Sequence, residues 1–285
     1  MDAIETFVAS RLDRPVPPEI AAMADHVGRS HDHVEAVLAY GSCLRGVATT
    51  DSLIDLYVLT RSLGGVSSNP VSRWGCALAP PNVYYAEHAV DGRVYRAKYA
   101  VLPLPLFVAW MARRNPYFWA RFAQPAALVR ASGAAARTQV TSAVAAAVRT
   151  MYGHARALSG SEDPLEIWAA GLRATYATEL RAESADRARQ IVAADEDYYR
   201  GLGEILRAQP PQSANWALRR AGGKLWSVAR LIKAAFTFSG GADYLVWKIE
   251  RHSGQKIALS DWQRRHPVIA GLVLLPRLLA SRAVR

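Results

Sequence analysis

The sequence predicts an α+β protein: an N-terminal mixed sheet with helices, a helical unit after it, and a basic amphipathic helical tail. Three observations carry this. Short apolar runs of strand length, bounded by Gly, Ser and Asp, fill the first 100 residues. Helical periodicity takes over beyond Pro105 and continues to about residue 208. The positive charge is concentrated at the end of the chain. From Arg219 to Arg285 there are 13 Lys and Arg against Asp243, Glu250 and Asp261, whereas the preceding 218 residues carry 22 basic and 21 acidic side chains.

The elements follow in order. Residues 1–30 read as weakly organised, with Pro15, Pro17 and Pro18 breaking a first short helix and a second starting at Glu19. Residues 34–40 and 52–60 are strand-length apolar runs, the first stopped by Gly41-Ser42. Residues 61–82, rich in Gly, Ser, Asn and Pro, read as a loop. Residues 83–88 and 93–101 flank Val90-Asp91-Gly92, the clearest hairpin signal in the chain. Helices are expected over 106–119, 138–152 and 163 to about 208, the last started by Ser161-Glu162-Asp163-Pro164. Gln209-Pro210-Pro211-Gln212-Ser213 reads as a linker, which divides the chain into 1–130, 131–210 and 211–285.

Composition excludes several classes. With 51% hydrophobic and 21% charged residues the chain is no disordered tail. Two cysteines, Cys43 and Cys76, make neither a disulfide framework nor a four-cysteine zinc site, so a reducing cytoplasm is expected. Residues 1–5 begin no signal peptide, and no run of about 18 apolar residues would span a bilayer. His31 and His33 lack a third ligand and read as surface residues. The tail interleaves its cations with Leu225, Trp226, Leu231, Ile232 and other large apolar residues. It includes the apolar run 267–276 closed by Arg277, too short to cross a bilayer and suited either to the membrane interface or to a buried core helix. That mixture fits an anionic membrane surface better than nucleic acid, which is not expected as a partner.

The segment that carries chemistry is Tyr40-Gly41-Ser42-Cys43-Leu44-Arg45-Gly46, followed by Leu53-Ile54-Asp55-Leu56-Tyr57-Val58. Gly41 lets the backbone approach a phosphate, the Ser42 hydroxyl and backbone N–H groups donate to its oxygens, and Asp55 would hold Mg²⁺. A tight turn followed by a strand-end Asp explains the same residues structurally. The pattern resembles the DNA polymerase β-like nucleotidyltransferases, which place two carboxylates one residue apart on the strand. Here Leu53 stands at the first position, and Asp51 is a candidate replacement from the loop.

A lone Asp in an apolar strand after Tyr-Gly-Ser resembles the mitochondrial-type phosphatidate cytidylyltransferases, the translocator assembly and maintenance family. Val83-Tyr84-Tyr85, Gly92-Arg93, Lys98-Tyr99-Ala100-Val101, Asn115 with Tyr117, Ala120-Arg121, Gln124-Pro125, Glu166-Ile167, Gly171-Leu172, Thr175-Tyr176 and Glu179-Leu180-Arg181 resemble its further motifs in the same order. Cys43 and Ala86 depart from the family's glycine and asparagine, the 61–82 loop is shorter, and the interval from Gly171 to Tyr176 is two residues longer. The resemblance implies transfer of CMP from CTP to phosphatidic acid with release of pyrophosphate, using Mg²⁺, at the inner face of the cell membrane.

Under that resemblance Asp55, with Asp51 as a second candidate, holds the metal. Tyr40, Gly41, Ser42, Glu179 and Arg181 bind the nucleotide, while Lys98 and Arg121 meet the developing negative charge. Lys98 on an alternating strand would otherwise face solvent, and Arg121 after Tyr117-Phe118-Trp119 would otherwise snorkel at the surface. Two alternatives stay open: the same chemistry on another acceptor, and a nucleotidyltransferase fold that only binds an anionic lipid or nucleic acid.

Overall fold

A computed structural model describes residues 1–44, 52–179 and 186–237. The architecture is α+β. Five strands, β1 (Val34–Tyr40), β2 (Leu53–Thr60), β3 (Asn82–Val90), β4 (Arg93–Pro103) and β5 (Ala126–Ala131), form one mixed sheet in the order β3-β4-β2-β1-β5. Only β2 and β4 run parallel; the other neighbours are antiparallel. The hairpin is closed by Asp91 and Gly92, both at positive φ (49° and 74°), the conformation a tight two-residue connection requires.

Every residue of β1 from Ala36 to Ala39 is fully buried, as are Ile54 and residues 56–59 of β2, so the sheet is covered on both faces. Period-two alternation tells the faces apart. Val37 and Val58 are cross-strand partners, and Gly28 of α2 (Pro18–Arg29) lies over the Val37 side chain. Leu38 and Tyr57 pair on the opposite face. There the Tyr57 ring packs edge-on against Phe122 of α6 (Trp119–Phe122) and leans on Phe107 of α5 (Leu104–Trp110). Beyond that layer run α7 (Ala134–Ser159) and α8 (Pro164–Tyr176), packed so closely that a Cβ on Gly171 would lie 2.7 Å from that of Ala155.

The structure corrects several expectations. Residues 1–30 hold the two helices expected on either side of the prolines, but both are well formed rather than weakly organised. The first, α1 (Ala3–Leu12), starts in a reciprocal capping box between Asp2 and Glu5, and Pro18 opens α2. The 61–82 segment contains α3 (Leu63–Val66) and α4 (Pro70–Leu78); Asn69 caps α4 and Pro70 occupies its first turn, so the Gly, Ser and Pro content marked helix starts. The 106–119 helix divides at Arg113-Arg114-Asn115-Pro116 into α5 and α6. The stretch beyond 163 divides into α8, α9 (Arg187–Ala193) and α10 (Glu196–Ile205), with Asp195 accepting from the Tyr198 N–H as a new cap. Strand β5 was not foreseen: its Ala-rich sequence has little β propensity, and pairing with β1 creates it. His31 is half-buried, with Tyr84 and Tyr99 edge-on to its ring, whereas His33 is exposed. The start of the basic segment forms α11 (Trp216–Thr237).

Candidate functional site

Strand register builds the floor of the site. Tyr40 of β1 pairs with Asp55 of β2, and Asp55 pairs with Lys98 of β4, so the three side chains form a row across one face of the sheet. Tyr57, two residues beyond Asp55, assigns that row to the face covered by α5 and α6. The chain leaves β1 through Gly41 at φ +83° and enters a short 3₁₀ turn (Gly41–Leu44), where the Cys43 thiol donates to the Tyr40 carbonyl at 3.1 Å. A Cβ on Gly41 would sit 3.3 Å from Asp55 Oδ2, so glycine meets a backbone demand and keeps the carboxylate open.

A cavity of about 550 Å³ stands over this row. Among the described residues, five cationic side chains line it (Lys98, Arg121, Arg187, Arg230 and Lys233) against two carboxylates, Asp55 and Glu179. Ser42 stands at its wall. Such a surplus of positive charge in a concave, partly desolvated site attracts an anion of several charges.

Arg121 lies in an aromatic nest. Its Nη1 donates to the Tyr57 hydroxyl at 3.0 Å, and its guanidinium sits 4.4 Å from the Tyr117 ring centre and 5.5 Å from that of Tyr40. Burial opposes its charge, but Tyr117, Tyr57, Tyr40 and Glu179 outweigh burial and hold it protonated. Burial pushes the Tyr40 phenol up, with the Asp55 charge adding to it, and burial likewise raises Tyr57. Tyr117 goes the other way. Burial alone would raise it, yet the guanidinium groups of Arg121 and Arg230 outweigh burial and bring it down to about 7.

The roof is α11. Arg230 Nη2 donates to the Tyr117 hydroxyl at 2.6 Å, and its guanidinium lies 3.5 Å from the centre of that ring. Lys233 donates to the carbonyls of Ala79 and Pro81 and to Asn82 Oδ1, at 2.6, 2.6 and 3.0 Å; burial lowers it to about 8, with Arg230 adding to the fall. The opposite side of α11 is apolar and exposed: Leu218, Leu225, Val228 and Ile232 face outward, Leu225 being 72% exposed. Val71, Trp74 and Leu78 of the adjoining α4 are exposed as well. Arg219, Arg230 and Lys233 therefore point toward the body, whereas Arg220 and Lys224 are exposed along with the aliphatic side chains.

The residues foreseen from sequence distribute as follows. Tyr40, Gly41, Ser42, Asp55, Lys98, Arg121 and Glu179 all line the one cavity. Asp51, Arg181 and the 267–276 run lie outside the described residues. Lys98 faces the cavity, and Arg121 is enclosed by tyrosines. Tyr117, Gln124, Tyr176, Arg187, Arg230 and Lys233 join the site without having been chosen, and Tyr57 supports it from beneath through Arg121. Tyr117 was legible as part of the Asn115-x-Tyr117 motif, and Arg230 with Lys233, three residues apart in a helix, share a face. Glu166 pairs with Arg189 at 3.5 Å on the surface, and Arg173 is exposed.

Among the described residues no three His, Cys, Asp or Glu side chains gather as a metal cage. Mg²⁺ asks for less, since it keeps several waters and takes one or two carboxylates plus substrate phosphates. Asp55, kept accessible by Gly41, fits that donor set. Also among the described residues, no helix is long and apolar enough to cross a membrane.

No family model and no curated protein matches the chain. Among solved structures it is similar to a nucleotidyltransferase-like protein from Exiguobacterium sibiricum, at 9% identity over 91% of each chain and a TM-score of 0.28. A likeness this low adds nothing to the geometry above.

Proposed function

We propose that the protein is a nucleotidyltransferase, and that its reaction is transfer of CMP from CTP to phosphatidic acid, giving CDP-diacylglycerol and pyrophosphate. One observation carries the reading: the row Tyr40–Asp55–Lys98 beneath the Gly41 turn, in a cavity where five cations face two carboxylates. The choice of CTP and phosphatidic acid rests on the sequence resemblance. Support for work at an anionic membrane surface comes from the exposed Leu218, Leu225, Val228 and Ile232 on a helix of basic composition; the cytoplasmic side rests on the sequence resemblance.

The residues suit the chemistry. A phosphate monoester is ionised near neutral pH, its second pKa being about 6, so the acceptor needs no strong general base and a single carboxylate suffices. An acceptor oxygen attacks the α-phosphorus while the bond to the β-phosphate oxygen breaks, and pyrophosphate leaves with the electron pair. Gly41 and Ser42 admit and orient the phosphates, and Lys98 and Arg121 meet the charge that grows on the leaving group. Asp55 would hold Mg²⁺, which when bound neutralises triphosphate charge and eases departure of pyrophosphate.

The test is pyrophosphate release from CTP with Mg²⁺ and phosphatidic-acid vesicles, for the wild type and Asp55→Ala. Release that requires both substrates and disappears in the variant is the expected result. Release with CTP and a different phosphate acceptor would keep the reaction class and replace the substrate. Absence of release with any nucleotide would overturn the reading.

A further inference from the structure

The basic segment that reads in sequence as an appendage contributes directly to the cavity. Four contacts seat α11 on the body before its last turn. Arg219 Nη2 lies 2.9 Å from His154 Nε2, Gly223 allows so close an approach that a Cβ there would lie 2.6 Å from the Thr178 carbonyl oxygen, Trp226 packs on Trp110, and Arg230 binds Tyr117. Lys233 then ties the helix to the start of β3. Seating brings Arg230 and Lys233, three residues apart on one face of α11, toward Arg121, with both guanidinium groups against the one phenol of Tyr117.

Such a cluster of like charges works against closure when the cavity holds only water, and favours closure when it holds a polyanion. Ligand and helix are then linked: whatever binds only with α11 seated must stabilise the seat by the same factor. Tyr117 is placed to govern this. Its ring stacks on the Arg230 guanidinium and its hydroxyl accepts from Nη2, which fixes both the position and the plane of the fork.

We propose that α11 is an integral wall of an oligophosphate site, in which Arg230 supplies a phosphate-binding guanidinium, Tyr117 is its positioning residue, and filling the cavity clamps α11 onto the body. This rests on the reading of the cavity as a triphosphate site and names the element that closes it.

The experiment uses the full chain and inorganic pyrophosphate, with affinity measured by calorimetry and amide exchange followed across residues 216–237. In the wild type, pyrophosphate binds and slows exchange in α11. Arg230→Ala weakens binding by about tenfold to a hundredfold, the range of a lost charge-assisted hydrogen bond, and abolishes the protection. Arg230→Lys restores part of both, and Arg230→Gln, which keeps a donor for Tyr117, serves if the alanine variant does not fold.

Tyr117→Phe keeps the stack and loses the hydroxyl. In the wild type the ionised phenol competes with the ligand for Arg121 and Arg230, so affinity falls as pH rises through neutrality. The groups around it are Tyr40 of β1, Tyr57 of β2, Arg121 of α6, Glu179 after α8, and Arg230 and Lys233 of α11. Pyrophosphate's own protonation is common to both forms, so the difference between their profiles isolates the phenol, and Tyr117→Phe loses the break.

Equal pyrophosphate affinity in wild type and Arg230→Ala, or equal exchange in α11 with and without ligand, would overturn the inference and leave the transferase reading standing. Failure of the wild type to bind either pyrophosphate or CTP would overturn both.

Discussion

Gly41 faces two demands at once: a left-handed backbone at φ +83° and a carboxylate 3.3 Å from where its Cβ would lie. Gly41→Ala therefore pays a conformational cost of about 1–2 kcal/mol and pushes on Asp55. The expected result is a melting temperature lowered by roughly 2 to 6 °C, with turnover reduced at least about tenfold because the carboxylate moves. Calorimetry and a pyrophosphate-release assay read the two effects separately. An alanine variant with unchanged turnover would mean that Asp55 does not act in the reaction. Gly41, Ser42 and Asp55 were legible in the sequence because a short local pattern places them: strand, glycine turn, strand. Lys98 was harder, since alternation on an edge-like strand equally well describes a solvent-facing lysine. What decides its position is the parallel pairing of β4 with β2, a contact between residues 43 apart that opposes Lys98 to Asp55.

At the scale of elements, α11 is where charge and geometry meet. Its composition announced a basic amphipathic helix, and a basic amphipathic helix ordinarily turns its cations to solvent or headgroups. Arg220 and Lys224 do so, but Arg219, Arg230 and Lys233 turn inward to His154, Tyr117 and the carbonyls of Ala79 and Pro81, while Leu218, Leu225 and Ile232 are exposed. Gly223 makes that seat possible. In Gly223→Val the added Cβ would meet the Thr178 backbone oxygen at 2.6 Å, a contact that no rotamer relieves. The expected outcome is faster amide exchange across 216–237 and weaker pyrophosphate binding, with exchange in the strands unchanged. An unaltered rate across α11 would show that the helix is not seated there. Strand β5 belongs to the same lesson: six residues of which three are alanine carry little signal of their own, and only an open edge on β1 makes them a strand.

At the scale of the whole molecule, three histidines tie stability to pH. Burial lowers the proton affinity of His26, His31 and His154, with His88 and Arg29 adding to it at His26, and Arg219 adding at His154. A group whose folded pKa lies below its unfolded value near 6.5 contributes stability that is complete above that value and is lost as pH falls toward the folded pKa. The melting temperature is therefore expected to fall between about pH 7 and about pH 5, ahead of the carboxylate range. His154 donates from Nδ1 to the Gln212 carbonyl at 2.8 Å and accepts from Arg219 at Nε2, so its protonation opposes Arg219 and loosens the start of α11. His154→Gln should show a smaller acid loss; an identical loss in both proteins would place the sensitivity elsewhere.

The sequence by itself determined what can be set by neighbours along the chain. It determined the two central strands, the Asp91-Gly92 turn, the Asp163-Pro164 helix start, the α+β class, the asymmetric charge, and the Gly-Ser and Asp residues that open one cavity. The tertiary structure alone decided what depends on residues far apart. It opposed Lys98 to Asp55 through strand register, enclosed Arg121 between tyrosines of β1, β2 and the loop before α6, recruited β5 to a vacant edge, and turned Arg230 and Lys233 of α11 toward the site. The physical reason is range. Backbone preference and hydrophobic period act over a few residues, whereas the place of a charge is decided by which distant groups offer it hydrogen bonds after water has been removed.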